Sequence, residues 1–146
     1  MIDTKVCLIA PEFLPNWGGV GTYCIELAKA LADKVELHVV TLEREKRGTP
    51  VYSRNDMLDF FKDKIEVHIL SKCHMKDTFF YNAKMQFAVY KKLPRILKQY
   101  DIDLVHTNFP HMPDILFKIA KRANIPCATT VHTTIKSQRL GTKLSG

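Results

Sequence analysis

Apolar and polar positions along the chain follow two different periods. Short runs with strand character, beginning with Val6-Cys-Leu-Ile-Ala10, are separated by longer stretches in which apolar residues return every three or four positions. The order predicts strand, helix, strand, helix, strand, helix, strand, helix, strand. Such alternation makes a parallel sheet with helices on both faces. The first strand and those near Asp103–His106 and Cys127–Val131 carry few charges, as central strands do. Val35–Val40 and Ile65–Leu70 alternate instead, each with a Glu and a His on the polar phase, which predicts places toward one edge. The first helix follows Gly21, with Val20, Tyr23, Cys24, Leu27, Ala28 and Leu31 on the stripe turned to the sheet. The last is bracketed by Pro113-Asp114 and by Asn124-Ile-Pro126, where Asn tolerates a left-handed cap and Pro forbids continuation. Phe79–Tyr100 reads as one long helix or two meeting near Pro94. Glu43–Asp63, charged and poorly periodic, predicts loop with a turn or two of helix.

The fold class expected is α/β, a Rossmann-like doubly wound sheet of order 3-2-1-4-5. Ligands of such sheets bind beyond the carboxyl ends of the strands, in the crevice where the order reverses, here between strands one and four. Three loops face that place: Pro11–Gly21, Thr107–Pro113 and the residues from His132 onward. The first contains Gly18-Gly-Val-Gly21 and runs into a helix. Glycines let backbone approach a ligand closely, and helix-start amides favour phosphate, so a diphosphate is the natural guest. A turn with no further role is the competing account, and position at the switch point favours the ligand. A P-loop is excluded because no Lys follows these glycines. A dinucleotide fingerprint, Gly19-x-Gly21-x-x-Cys24 with Glu43 as the ribose acid, ranks second: eight residues separate Ala10 from Gly19, where the fingerprint needs a tight turn. An NAD(P)-binding protein is therefore the runner-up, with a basic binding module without catalysis as the other alternative.

Composition narrows the class. The chain has 146 residues, 46% hydrophobic and 25% charged, enough to bury a core without disulfide or metal. Its longest apolar run is far short of a membrane span, and Met1–Lys5 lacks the features of a signal peptide, so a cytoplasmic protein is expected. Cys7, Cys24, Cys73 and Cys127 are dispersed without a Cys-x-x-Cys, which predicts buried free thiols. No metal site is expected. His38 and His68 fall on the polar phase of edge-like strands, where solvated or structural roles suffice. His106 ends strand four, His111 follows it, and His132 ends strand five in Thr129-Thr-Val-His-Thr-Thr134. A strand-end histidine at the switch point can hydrogen-bond a ligand hydroxyl or phosphate, and His132 is the strongest candidate.

Taken together these segments resemble the N-terminal domain of the GT-B glycosyltransferases, specifically the retaining family four. The features are Lys5-Val-Cys-Leu-Ile-Ala-Pro-Glu-Phe-Leu-Pro15, Gly18-Gly-Val-Gly-Thr22, Glu26–Ala32, the strand Val35–Thr41, Tyr100–Asn108, Ala123–Pro126 and Thr130-Val-His132. The resemblance implies that Gly18 and Gly19 approach the donor diphosphate and acceptor, and that His132 contacts the donor sugar near the reaction centre. It implies that Asn108 and His111, in the loop from Thr107, lie on the acceptor side. A nucleotide-diphosphate sugar and a saccharide or lipid acceptor are the implied partners, without a cofactor. Glu12–Pro15 and Trp17 stand where members of the family vary, which leaves the acceptor open. Such enzymes carry a second domain with two glutamates eight positions apart, a spacing absent here, so residues 1–146 are expected to be the N-terminal domain alone and inactive by itself.

The net charge of +7 concentrates notably in Phe79–Tyr100, where Lys84, Lys91, Lys92, Arg95 and Lys98 interleave with Phe79, Phe80, Tyr81, Phe87 and Tyr90. An ordinary surface helix with solvated lysines accounts for this, and a peripheral contact with anionic lipid at the inner face of the membrane is the alternative. No nucleic-acid motif is present, so nucleic acid is not an expected partner. Apolar surface left where a second domain would pack predicts self-association into a homo-oligomer.

Overall fold

The computed structural model describes residues 3–15, 18–45, 50–74, 78–108 and 113–132. Strands β1 (Lys5–Ile9), β2 (Glu36–Glu45), β3 (Ile65–His74), β4 (Leu104–Thr107) and β5 (Cys127–Thr129) alternate with helices α1 (Gly19–Leu31), α2 (Arg54–Phe60), α3 (Thr78–Gln99) and α4 (Pro113–Arg122). All neighbouring strands are parallel, in the order β3-β2-β1-β4-β5. The α/β class and the expected order both hold. In register, Leu8 lies opposite Val39 on one side and His106 on the other.

Because side chains alternate across a strand, β1 feeds two cores. Val6 and Leu8 pack with Leu37, Val39, Cys24, Ile25, Ala28 and Met57 beneath α1 and α2. Cys7 and Ile9 pack with Val40, Val105, Met85, Val89, Leu93 and Leu116 beneath α3 and α4. Each large side chain so buried contributes roughly 1.5–3 kcal/mol, so β1 is anchored from both faces.

Several boundaries differ from the expectation for local reasons. β2 and β3 continue past Val40 and Leu70, with Glu43, Arg44 and Glu45 paired to Lys72, Cys73 and His74 beyond a register shift. Opposite charges across the ladder permit this, Lys72 Nζ lying 3.2 Å from Glu43 Oε1. The segment expected to be mostly loop holds α2, started by a capping box in which Ser53 N donates to Asp56 Oδ2 and Asp56 N to Ser53 Oγ. α3 runs through Pro94 as one helix. Asn124 takes the left-handed conformation foreseen for it, and Asp101 does the same after α3, where Ile102 N reaches back to Leu97 O. α1 buries Gly21, Cys24, Ile25 and Ala28, while Tyr23, expected on that stripe, is exposed at its edge.

On the polar phase of β2, Glu36 is exposed but His38 is not. His38 is fully buried, and Tyr100 covers its ring at 4.7 Å and that of His68 at 4.9 Å. The two imidazoles stack at 5.3 Å and 5°, with His38 Nδ1 3.0 Å from His68 Nε2 and His38 Nε2 3.0 Å from Glu36 Oε1. Since the carboxylate accepts from Nε2–H, Nδ1 of His38 accepts from His68. Burial, then His38, then Arg54 push the His68 pKa down to about 4.

Lowering the pH should therefore destabilise the fold. An unfolded histidine titrates near 6.5, so the contribution of His68 is complete above that value and is lost as pH falls through 6.5 toward 4. His68→Gln keeps a donor for His38 without titrating, and its Tm should fall less steeply over that window in differential scanning calorimetry. An unchanged slope would remove His68 as the cause.

Candidate functional site

The chain leaves β1 through Ala10, whose N–H donates to Val40 O at 2.9 Å. It then turns inward. Phe13 is buried and stacks on Phe61 at 5.6 Å and 4°, and Leu14 is buried beside it. This hook occupies the residues by which the loop exceeds a tight dinucleotide turn, and it fixes where α1 begins. Glu43, the ribose acid of that alternative, sits inside β2 against Lys72 and not at the strand's end.

Gly18 precedes α1 with φ 154° and ψ −165°, a conformation essentially restricted to glycine. Among the described residues no side chain caps the helix, and its first turn holds no acid. Both Thr22 N and Thr22 Oγ1 donate to Gly18 O at 3.0 Å. The amides of Gly19, Val20 and Gly21 have no acceptor within the helix and form a partial positive pole. A Cβ on Gly19 would meet no described atom within 4 Å, whereas one on Gly18 would lie 3.8 Å from Glu12 Oε2. The helix end is thus open to an approaching group on the Gly19 side.

The other wall comes from β4 and β5. Asn108 N donates to Ile9 O at 3.3 Å, carrying β4's pairing with β1 one residue beyond the strand, and its side chain is buried. Asn108 Oδ1 lies 3.4 Å from His132 Nε2, and Asn108 Nδ2 has no partner among the described residues. Thr130 N donates to Thr107 O at 3.0 Å, and its Oγ1 stands 2.8 Å from His106 Nε2 and 3.4 Å from Tyr23 OH. Tyr23, one turn into α1, also packs edge-on against the His132 ring at 4.7 Å and 73°. Burial, and then His132, hold the His106 pKa below its ordinary value, so His106 is a neutral hydrogen-bonding group near pH 7.

The structure brings Asn108 and His132 together and ties them through Tyr23 to the helix that begins at Gly19. His132 lies three residues beyond β5, which ends at Thr129, and not at the strand end as expected. His111 and Trp17 fall outside the described residues. Tyr23 and Thr130 were not foreseen as site residues. Tyr23 satisfied the apolar stripe, and its only distinguishing signal was a hydroxyl one turn after Gly19. The free thiols of Cys7 and Cys24 are pushed up to about 12 chiefly by burial, so neither supplies a thiolate.

No curated protein matches the sequence. Among solved structures, the C-terminal domain of PF1911 hydrogenase from Pyrococcus furiosus superposes with TM-score 0.58 and 16% identity, over 90% of this chain and 94% of that one. A second structure of that domain gives 0.53 and 18%, over 87% and 91%. Os79 from O. sativa, solved in complex with UDP, gives 0.49 and 16%, over 85% of this chain and 28% of that one. At such identities the first two show the fold alone, and nothing is built on the third. The model of Glycosyltransferase Family 4 matches residues 17–145, a span that includes the glycine turn, Asn108 and His132, and the chain belongs to that family.

Proposed function

We propose that this chain is the N-terminal, acceptor-side domain of a retaining glycosyltransferase of GT-B architecture, which moves a sugar from a nucleotide-diphosphate sugar to a saccharide or lipid acceptor. The observation that carries the reading is the convergence at the β1–β4 crevice of a helix start with no side-chain cap and an uncrowded Gly19 among the described residues, and a half-buried histidine joined to a buried amide. Each supplies something the transfer needs. The first-turn amides of α1 face the diphosphate, whose charge grows as the sugar leaves it. Gly19 lets that group or the acceptor approach the backbone. His132 hydrogen-bonds the donor sugar or its phosphate oxygen while the bond between them breaks. A cleft has two walls, and a second domain carrying the nucleotide supplies the other, so this chain alone binds weakly and does not turn over.

A lipid acceptor at a membrane surface is the form of this reading that α3 favours. Its stripe of Met85, Ala88, Val89, Leu93 and Leu97 is buried on the sheet, as an ordinary surface helix requires. That account leaves Phe87 and Tyr90 unexplained, 65% and 60% exposed on a helix whose sequence contains no acid. Exposed Lys91, Arg95 and Lys98 share that outer surface, with Lys91 Nζ 5.4 Å from the Phe87 ring centre. Aromatic rings among cations suit the headgroup region of an anionic bilayer. Among the described residues no helix is long and apolar enough to cross a membrane.

Three measurements test these assignments. Gly19→Val should leave Tm nearly unchanged, since no described atom crowds it, yet weaken calorimetric binding of inorganic diphosphate about tenfold, or ~1.4 kcal/mol. Gly18→Ala should instead lower Tm, because of its φ. Equal diphosphate affinity in Gly19→Val would move the anion site elsewhere.

His132→Ala in the active enzyme should reduce kcat about a hundredfold, or roughly 3 kcal/mol, with Tm nearly kept, while His68→Gln leaves kcat unchanged. Near-normal turnover in His132→Ala would leave the residue a structural role only.

Vesicles containing phosphatidylglycerol should sediment the chain, and vesicles of phosphatidylcholine alone should not. Replacing Phe87 and Tyr90 with Ser should release it at unchanged Tm. Equal sedimentation of the double variant would show that the aromatic pair does not face lipid.

A further inference from the structure

The imidazole of His132 can serve a ligand in two opposite senses, and its neighbour selects between them. A neutral ring carries one proton. If Nε2 holds it, Nδ1 is a lone pair and accepts; if Nε2 is the lone pair, Nδ1–H donates. Nε2 is the nitrogen that faces Asn108, at 3.4 Å. The ring cannot readily exchange its two edges, because Tyr23 packs against it at 4.7 Å and 73°. Whatever Asn108 presents to Nε2 therefore decides what Nδ1 offers.

Asn108 is buried and its backbone is held to Ile9 O, so its amide can only turn over about its last torsion. That rotation exchanges oxygen and NH2 within nearly the same envelope. The two orientations differ in what they strand. With Oδ1 toward the ring, both N–H groups of Nδ2 lie buried without an acceptor among the described residues. Turned over, one N–H pairs with Nε2, and one N–H and one carbonyl oxygen remain. An under-satisfied carbonyl is tolerated better than an orphaned N–H, so the second orientation is the less costly one.

We infer that Asn108 is a positioning residue for His132: Nδ2 donates to Nε2, the ring is held as the Nδ1–H tautomer, and the histidine is thereby made a donor toward ligand oxygen. The inference rests on the proposed place of His132 beside the transferred sugar. There the chemistry needs a donor, since negative charge accumulates on the departing phosphate oxygen and a lone pair would repel it. Asn108 then acts through His132 and not on the acceptor.

The test is nitrogen-15 NMR of the histidine-labelled chain at neutral pH, with the His132 signals assigned by their loss in His132→Ala. The wild-type ring should carry its proton on Nδ1. Asn108→Leu, close in volume but without an amide, should return the ring to the Nε2–H form that imidazole prefers in water. Asn108→Asp, an acceptor, should impose Nε2–H. In the active enzyme Asn108→Asp should lower kcat about a hundredfold while KM changes little, and adding His132→Ala should cost little more. A wild-type ring protonated on Nε2 alone overturns the inference, as does an Asn108→Asp ring that carries a single proton and keeps it on Nδ1. If either variant fails to fold, the wild-type tautomer still decides. The tautomer is read without turnover, so an Nδ1–H ring in an active-enzyme preparation that transfers no sugar refutes the proposed function and leaves the pairing intact.

Discussion

Everything at the site depends on β4 pairing with the free edge of β1. After three strands wound in one direction, α3 carries the chain to the opposite side of β1 and lays β4 there, with Val6 to Ile9 facing Leu104 to Thr107. The connections leaving the carboxyl ends of β1 and β4 then lead to opposite faces of the sheet, and the space between them is the crevice. Asn108 N bonding Ile9 O marks its floor. Buried side chains of β1 on both faces hold that floor rigid, so loops attached to it present their groups in fixed relation.

This geometry explains why the polar groups in the crevice can be buried at all. A buried amide such as Asn108 is costly unless it is paired, and its companion here is a histidine delivered by the neighbouring strand's exit. Thr130 binds that exit twice, through its backbone to Thr107 and through its hydroxyl to His106. Tyr23 closes the ring of contacts from the other face of the sheet. By contrast, a cleft of about 820 Å³ between α3 and α4, bordered by Tyr90, Lys98, Ile119 and Arg122, lies at the amino ends of the strands. Among the described residues no convergent buried amide or histidine gives it comparable chemistry.

The fold was legible in the chain because its signals are local and redundant. Periods of two and of three to four residues, with Asn124 and Pro126 as punctuation, define elements independently of what they later touch. The strand order followed from the alternation together with the charge on the second and third strands. The site was legible only in outline. Gly18 and His132 stood out by residue type and by place relative to strand ends, while Tyr23 looked like one more apolar position of a helix. Its role arises from distance across 107 residues of sequence to Thr130, which no local pattern encodes. The same limit hid the burial of His38, whose polar phase looked like solvent until Tyr100 was placed over it. Strand length failed for a related reason. Glu43 and Lys72 read as loop residues singly and as a ladder only as a pair.

The contrast between the two histidine pairs shows how similar residues come to different uses. His38 and His68 form a chain in which Glu36 fixes the tautomer of the first ring and the first ring fixes that of the second. With His38 buried and both rings covered by Tyr100, the arrangement contributes to holding β2, β3 and α3 together. The pair at the crevice is less completely specified, since among the described residues part of the Asn108 amide is left without a partner and only one nitrogen of His132 has one. A protein interior rarely tolerates such a deficit unless something else completes it. The first pair holds the sheet together, whereas the second, set on a rigid floor near the start of α1, is the one whose completion by a ligand the proposed function invokes.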